Sequence, residues 1–157
     1  MSDRTTVKQA ARKLARAEAR EADAREKRDR AICQAHAAGV RRATIASAVE
    51  MEPESVSRIV KQRRDAAGAD EPDGGALERA ADQARRARTA ASARAAAEAE
   101  RAEAVAAALD SGQMRAADVV RVTGLSRPRV YQLRDQGRAL AAQRNATNAK
   151  RCAILAR

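Results

Sequence analysis

Residues 39–60 read GVRRATIASAVEMEPESVSRIV and residues 112–133 read GQMRAADVVRVTGLSRPRVYQL, one pattern written twice. The match begins upstream, where Ala31, Ile32, Ala38 and Gly39 recur 73 residues later as Ala104, Val105, Ser111 and Gly112. One added residue then moves the offset to 74. At that offset Ile45, Met51, Val56 and Ile59 fall on Val119, Leu125, Val130 and Leu133, while Ala46 meets Val120 and Glu50 meets Gly124. Large apolar residues land on large apolar residues, which is how a duplicated fold keeps its core while its surface diverges.

Each copy reads as a short helix, a tight turn and a second helix. The first supplies Ile45, Ala46 and Val49, a turn at Glu50, Met51 and Glu52, then Val56 and Ile59 three residues apart on one helical face. The second supplies Val119 and Val120, a turn at Gly124, Leu125 and Ser126, then Val130 and Leu133. Gly124 suits a left-handed turn residue directly. Glu50 must adopt that conformation at a cost of about 1 kcal/mol, and Val120 is larger than the small residue expected where two helices cross.

These residues resemble the helix-turn-helix domains of bacterial and phage transcription regulators, most closely over TGLSRPRVYQL at residues 123–133. The resemblance covers about 35 residues in each half and says little about the rest of the chain. It implies that the second short helix of each unit lies in the major groove of double-stranded DNA, with its first residues reaching base edges. In the second unit Ser126 is placed to cap that helix and Pro128 fits its first turn, while Arg127 and Arg129 stand where the helix dipole disfavours cations. Arginines set against the dipole make sense opposite phosphate or guanine, so Arg127, Arg129, Tyr131, Gln132, Ser126 and Arg115 are the candidate DNA-facing residues there. In the first unit Glu52 and Glu54 flank Pro53, which satisfies the dipole and repels phosphate. Its candidates are Arg41, Arg42, Thr44, Ser55, Ser57, Arg58 and Lys61, and an acid can accept from cytosine N4. A bundle used for dimerisation or partner binding is the competing reading of that unit.

Composition bounds the rest. Phenylalanine and tryptophan are absent and Tyr131 is the sole aromatic of 157 residues, so no large single core is available. Alanine favours helix strongly and buries little area, so the expectation is an all-α chain with small local cores. The net charge of +11 divides into +7 over residues 1–64, −4 over 65–75 and +8 over 76–157. Both halves are therefore candidate polyanion binders, which gain from releasing the counterions condensed on phosphates. Arginine outnumbers lysine 27 to 5. That suits bidentate phosphate and guanine contacts, and it is equally what a GC-rich genome writes.

Along the chain, residues 4–38 contain no helix breaker and predict one helix of roughly 50 Å, with Ser2 or Thr5 at its start and Gly39 just past its end. Glu21–Arg25, Asp23–Lys27 and Glu26–Arg30 are correctly ordered i,i+4 pairs. Residues 65–75, DAAGADEPDGG, read as an acidic Gly/Pro linker. Residues 76–111 predict a second long helix, with an Asp82–Arg86 pair and Gly112 as its stop. Residues 138–157 carry five positive charges and no negative one, as a last helix or a loose basic tail. The expected domains are 1–64, the linker 65–75, 76–137 and the segment 138–157. The long helices are expected to brace the two units within one chain, to form a homodimer through weak heptads, or to act as solvated spacers.

Cys33 and Cys152 lie far apart and His36 is the only histidine, which gives neither a disulfide framework nor a zinc-ligand spacing. The start lacks an apolar h-region and no run of about 18 apolar residues occurs, so neither a signal peptide nor a membrane span is expected. No constellation asks for an enzyme, a cofactor, a metal or a small-molecule ligand. The resemblance thus implies a sequence-specific DNA-binding regulator of the repressor kind, cytoplasmic and nucleoid-associated, bacterial or phage-encoded. Two other readings stand beside it: an architectural or partition protein with low sequence preference, and a helical protein–protein adaptor.

Overall fold

Alanine-rich stretches without glycine or proline propagate helix until something stops them. A computed structural model describes residues 3–63 and 75–155, and among these the chain is all-α, without a strand. The elements are α1 (Asp3–Ala37), α2 (Arg42–Val49), α3 (Pro53–Gln62), α4 (Ala76–Asp110), α5 (Ala116–Thr123) and α6 (Arg127–Leu155). Gly75 apart, the acidic linker lies outside the described residues.

Helices α1 and α4 are 35 residues each, about 52 Å at the standard rise. The three ion pairs expected on α1 are present, Glu21 with Arg25, Asp23 with Lys27 at 2.8 Å and Glu26 with Arg30 at 3.3 Å. Two local expectations fail. Thr5 lies inside α1 and so does not cap it, while Ser2 falls outside the described residues. Asp82 engages Arg85 rather than Arg86; both lie within one turn of it, since i+3 and i+4 neighbours share a helix face.

The helix stops are local chemistry. Past α1, Val40 N–H donates to Ala35 O at 3.1 Å and Gly39 N–H to His36 O at 3.0 Å, with Gly39 left-handed at φ 84°. That is a Schellman motif. Past α2 the same pair of bonds recurs, Met51 N–H to Ala46 O and Glu50 N–H to Ser47 O, and the left-handed residue is Glu50 at φ 55°. A non-glycine residue holds this conformation because its neighbours compensate. Arg88 of α4 donates to Val49 O at 2.9 Å and to the Glu50 carboxylate at 3.1 Å, satisfying an end-of-helix carbonyl. Past α5, Gly124 at φ 70° closes a single bond to Val120 O at 2.8 Å.

Two compact units result, each with its own core. The central unit is Glu18–Ala93 and the terminal unit joins Met1–Ala17 to Arg94–Arg157. The central core assembles Ile32 and Ala35 of α1, Ile45 and Val49 of α2, Val56 and Val60 of α3, and the ridge Ala76, Ala80, Ala84 of α4. Ile59 packs half-buried against this core as the i,i+3 spacing from Val56 predicts, and Val60, one position on, is buried in it as well. The terminal core assembles Val7 of α1, Ala102, Val105 and Ala108 of α4, Met114, Val119 of α5, and Val130 and Leu133 of α6. The long helices thus contribute to both units.

Helix α6 runs unbroken for 29 residues through Gly137, so residues 138–155 continue the helix that starts at Arg127. Gly137 is buried against α4, with its backbone beside the Ala102 carbonyl. Close helix approach of this kind needs a residue without a Cβ. Arg138 then donates to both oxygens of Asp110, at 2.8 and 2.6 Å, and Arg144 pairs with Glu103. The Arg138 guanidinium holds the Asp110 carboxyl below the usual carboxylate range.

Candidate nucleic-acid interface

The start of α6 is positioned from below by its own core residues. Val130 and Leu133 are fully buried, and with 3.6 residues per turn this turns Pro128, Tyr131, Gln132 and Asp135 outward, with Arg127 and Arg129 on the two flanks. The turn that precedes it is braced by Thr123, whose hydroxyl donates to Val119 O at 2.7 Å and accepts from Leu125 N–H at 3.4 Å. Val130 N–H donates to Ser126 O at 3.0 Å, so α6 opens at Ser126 through its carbonyl. Pro128 lacks an N–H and loses nothing in the first turn.

Ser126, Arg127, Arg129, Tyr131 and Gln132 are all exposed on this one helix start, and no acid stands in its first turn. They are not equally placed. Arg129 donates to Gln132 Oε1 at 3.3 Å and lies 3.8 Å from Glu98 of α4, so it is held along the helix on that flank. Arg134, absent from the sequence expectation, sits 5.2 Å over the Tyr131 ring and bonds Asp135 at 3.2 Å. Its spacing of three from the only aromatic was the available signal. Arg115 is exposed at the start of α5, where its N–H donates to Asp118 Oδ2 at 3.3 Å.

In the central unit Arg41, Arg42 and Thr44 are exposed where α2 begins, and Arg58 and Lys61 are exposed on α3. Ser55 and Ser57 are half-buried on opposite sides of α3, and Ser57 lines a hollow together with Lys61. Glu54 lies on the outward face one turn before Arg58, and Glu52 stands exposed at the N-cap without a capping side-chain bond. The opening of α3 is acidic where the opening of α6 is basic.

Cys33 is buried and Cys152 exposed. Burial pushes the Cys33 thiol up, with Arg63 opposing the shift and Asp29 adding to it. His36 is half-buried, its Nε2 at 3.5 Å from Arg42. Among the described residues no cluster of metal-ligating side chains occurs, and no helix is long and apolar enough to cross a membrane. No family model, curated protein or solved structure matches the chain.

Proposed function

We propose that the protein is a sequence-specific double-stranded DNA-binding regulator that uses two helix-turn-helix units, with the start of α6 as its principal reader and α3 as a weaker one. The observation that carries this reading is the opening of α6, where Arg127 and Arg129 are exposed, no acid stands in the first turn, and Arg127 has no carboxylate beside it among the described residues, whereas Arg129 lies 3.8 Å from Glu98. The helix dipole makes that the least favourable place on a helix for cations unless anions meet them. The left-handed residues Glu50 and Gly124 support the same reading, because the motif joins its two short helices by a tight turn of a few residues that often contains glycine. In this scheme Arg127 meets phosphate, Arg129 leaves Glu98 to reach a guanine edge, and Tyr131 and Gln132 line the groove.

Gel shift with the full chain tests it. If the terminal unit makes about four phosphate contacts, the log–log salt slope is about −3.6, so raising salt fourfold weakens binding about 150-fold. Arg127→Ala lowers the slope by about one and weakens all sequences alike. Arg129→Ala relaxes preference at one base and costs about 1–3 kcal/mol. No shift of any duplex at about 50 mM salt sinks the reading. A cognate-to-scrambled ratio near one assigns the chain to the architectural class instead.

A further inference from the structure

In the central unit a hollow of about 510 Å³ is bordered by the end of α1, the start of α2 and the last turns of α3. Its polar lining is basic: Arg42, Lys61 and Arg63, together with the Ser57 hydroxyl and the His36 ring, and it contains no carboxylate. Asp29, which acts on the Cys33 thiol in the same wall, is already bound by Arg28 at 2.7 Å. Among the described residues no carboxylate pairs with Arg42, Lys61 or Arg63. Three cations bordering one concavity make it attractive to an anion.

His36 carries the second observation. The His36 Nε2 lies 3.5 Å from the Arg42 guanidinium, and Nδ1 is the other polar atom of the ring. That Nδ1 is buried without a partner. Buried polar groups are almost always satisfied in folded proteins, and here the protein alone leaves the ring incompletely satisfied.

We propose that this hollow is a binding site for a small phosphate monoester, a phosphorylated metabolite held by Arg42, Lys61 and Arg63. The volume falls within the range of small-ligand pockets, about 300–1,000 Å³, and leaves room for the group that bears the phosphate. A monoester brings about −1.5 to −2 charges and three acceptor oxygens at neutral pH, which suits three cations and a hydroxyl. A backbone diester brings one charge, and a carboxylate one charge and two oxygens. Arg42, Ser57 and Lys61 are also among the residues assigned to DNA, so a bound monoester weakens the grip of the central unit on DNA. That consequence rests on the DNA reading; the site itself does not.

The single histidine of the chain makes the test direct, because its ring C2–H gives one isolated proton resonance. The full chain is titrated at fixed ionic strength with glucose 6-phosphate, and separately with dimethyl phosphate. The expected result is a saturable shift with half-saturation below about 1 mM for the monoester, at least tenfold weaker for the diester. A Lys61→Ala/Arg63→Ala variant with an unchanged unfolding curve loses that binding at least tenfold; Arg42→Gln serves the same purpose if the double variant unfolds. A linear, non-saturating shift, equal affinity for dimethyl phosphate, or full binding by the variants overturns the proposal. If the monoester saturates the resonance while gel shifts stay unchanged, the site stands and only the competition with DNA fails.

Discussion

Replacing Gly137 by alanine sets two effects of opposite sign against each other in one residue. Within a helix the exchange gains about 1 kcal/mol, because glycine loses more backbone freedom on folding. At this position, however, the new methyl carbon falls 2.2 Å from the Ala102 carbonyl oxygen, 2.6 Å from its carbon and 2.9 Å from Ala106 Cβ. Close carbon–oxygen contacts settle at about 3.3 Å, so α6 must retreat by about 1 Å from a backbone group that cannot rotate away. A gap of that size forfeits a quarter to a half of the dispersion attraction across it, and Val130 and Leu133, both fully buried, sit on the same face. Overpacking costs about 1–3 kcal/mol, and a clash with backbone belongs at the upper end. The net expectation is a loss of about 1–2 kcal/mol, seen as a melting midpoint lower by about 4–8 °C per kcal/mol in a domain of this size. Circular dichroism melts and urea titrations of the full chain measure it. Ala139→Gly, on the exposed side of the same helix, calibrates the propensity contribution. A Gly137→Ala protein as stable as the parent, or more stable, would falsify the close approach of α6 to α4.

Glu50→Gly relieves left-handed strain of about 1 kcal/mol and loses only a largely exposed pair with Arg88, worth a few tenths. The extra chain entropy of glycine, about 0.4–1 kcal/mol, offsets most of that relief, so urea denaturation should show Glu50→Gly within about 0.3 kcal/mol of the parent, whereas Glu50→Ala keeps the strain, loses the pair and destabilises. Asp110 has its carboxyl lowered chiefly by the hydrogen bond from Arg138. Its contribution is therefore present above the ordinary carboxylate range and lost as pH falls through the lowered value; the stability difference between the parent and Asp110→Asn should be flat above about pH 5 and close in acid. Cys33 is buried with its thiol raised and Cys152 is exposed, so Ellman's reagent should modify one thiol quickly and the second only on unfolding. Two fast thiols in the native chain would contradict the burial of Cys33.

Much of the helical architecture was legible because its causes are local. The bounds of α1 and α4, the ion pairs of α1, the stop at Gly39 and the left-handed Glu50 follow from propensity, i,i+4 spacing and capping, which act within a few residues. The exposure of Arg127, Arg129, Tyr131 and Gln132 was legible from the phase that Val130 and Leu133 impose. The failures were also local: Asp82 takes Arg85 over Arg86, and Thr5 lies inside α1 instead of capping it. Glu98 beside Arg129, and Arg88 over the end of α2, were invisible because their partners are 31 and 39 residues away.

The sequence by itself determined that the chain is all-α, roughly where its helices start and stop, and which short apolar sets form small cores. Tertiary structure decided which parts of α1 and α4 serve which core, that α6 passes through Gly137 unbroken, and that Arg42, Lys61 and Arg63 converge on one hollow. The physical reason is the alanine itself. An alanine ridge promotes helix wherever it stands but buries so little that it names no partner, so the pairing of long helices rests on a few distant residues such as Val7, Val105 and Gly137, whose meaning appears only when they meet.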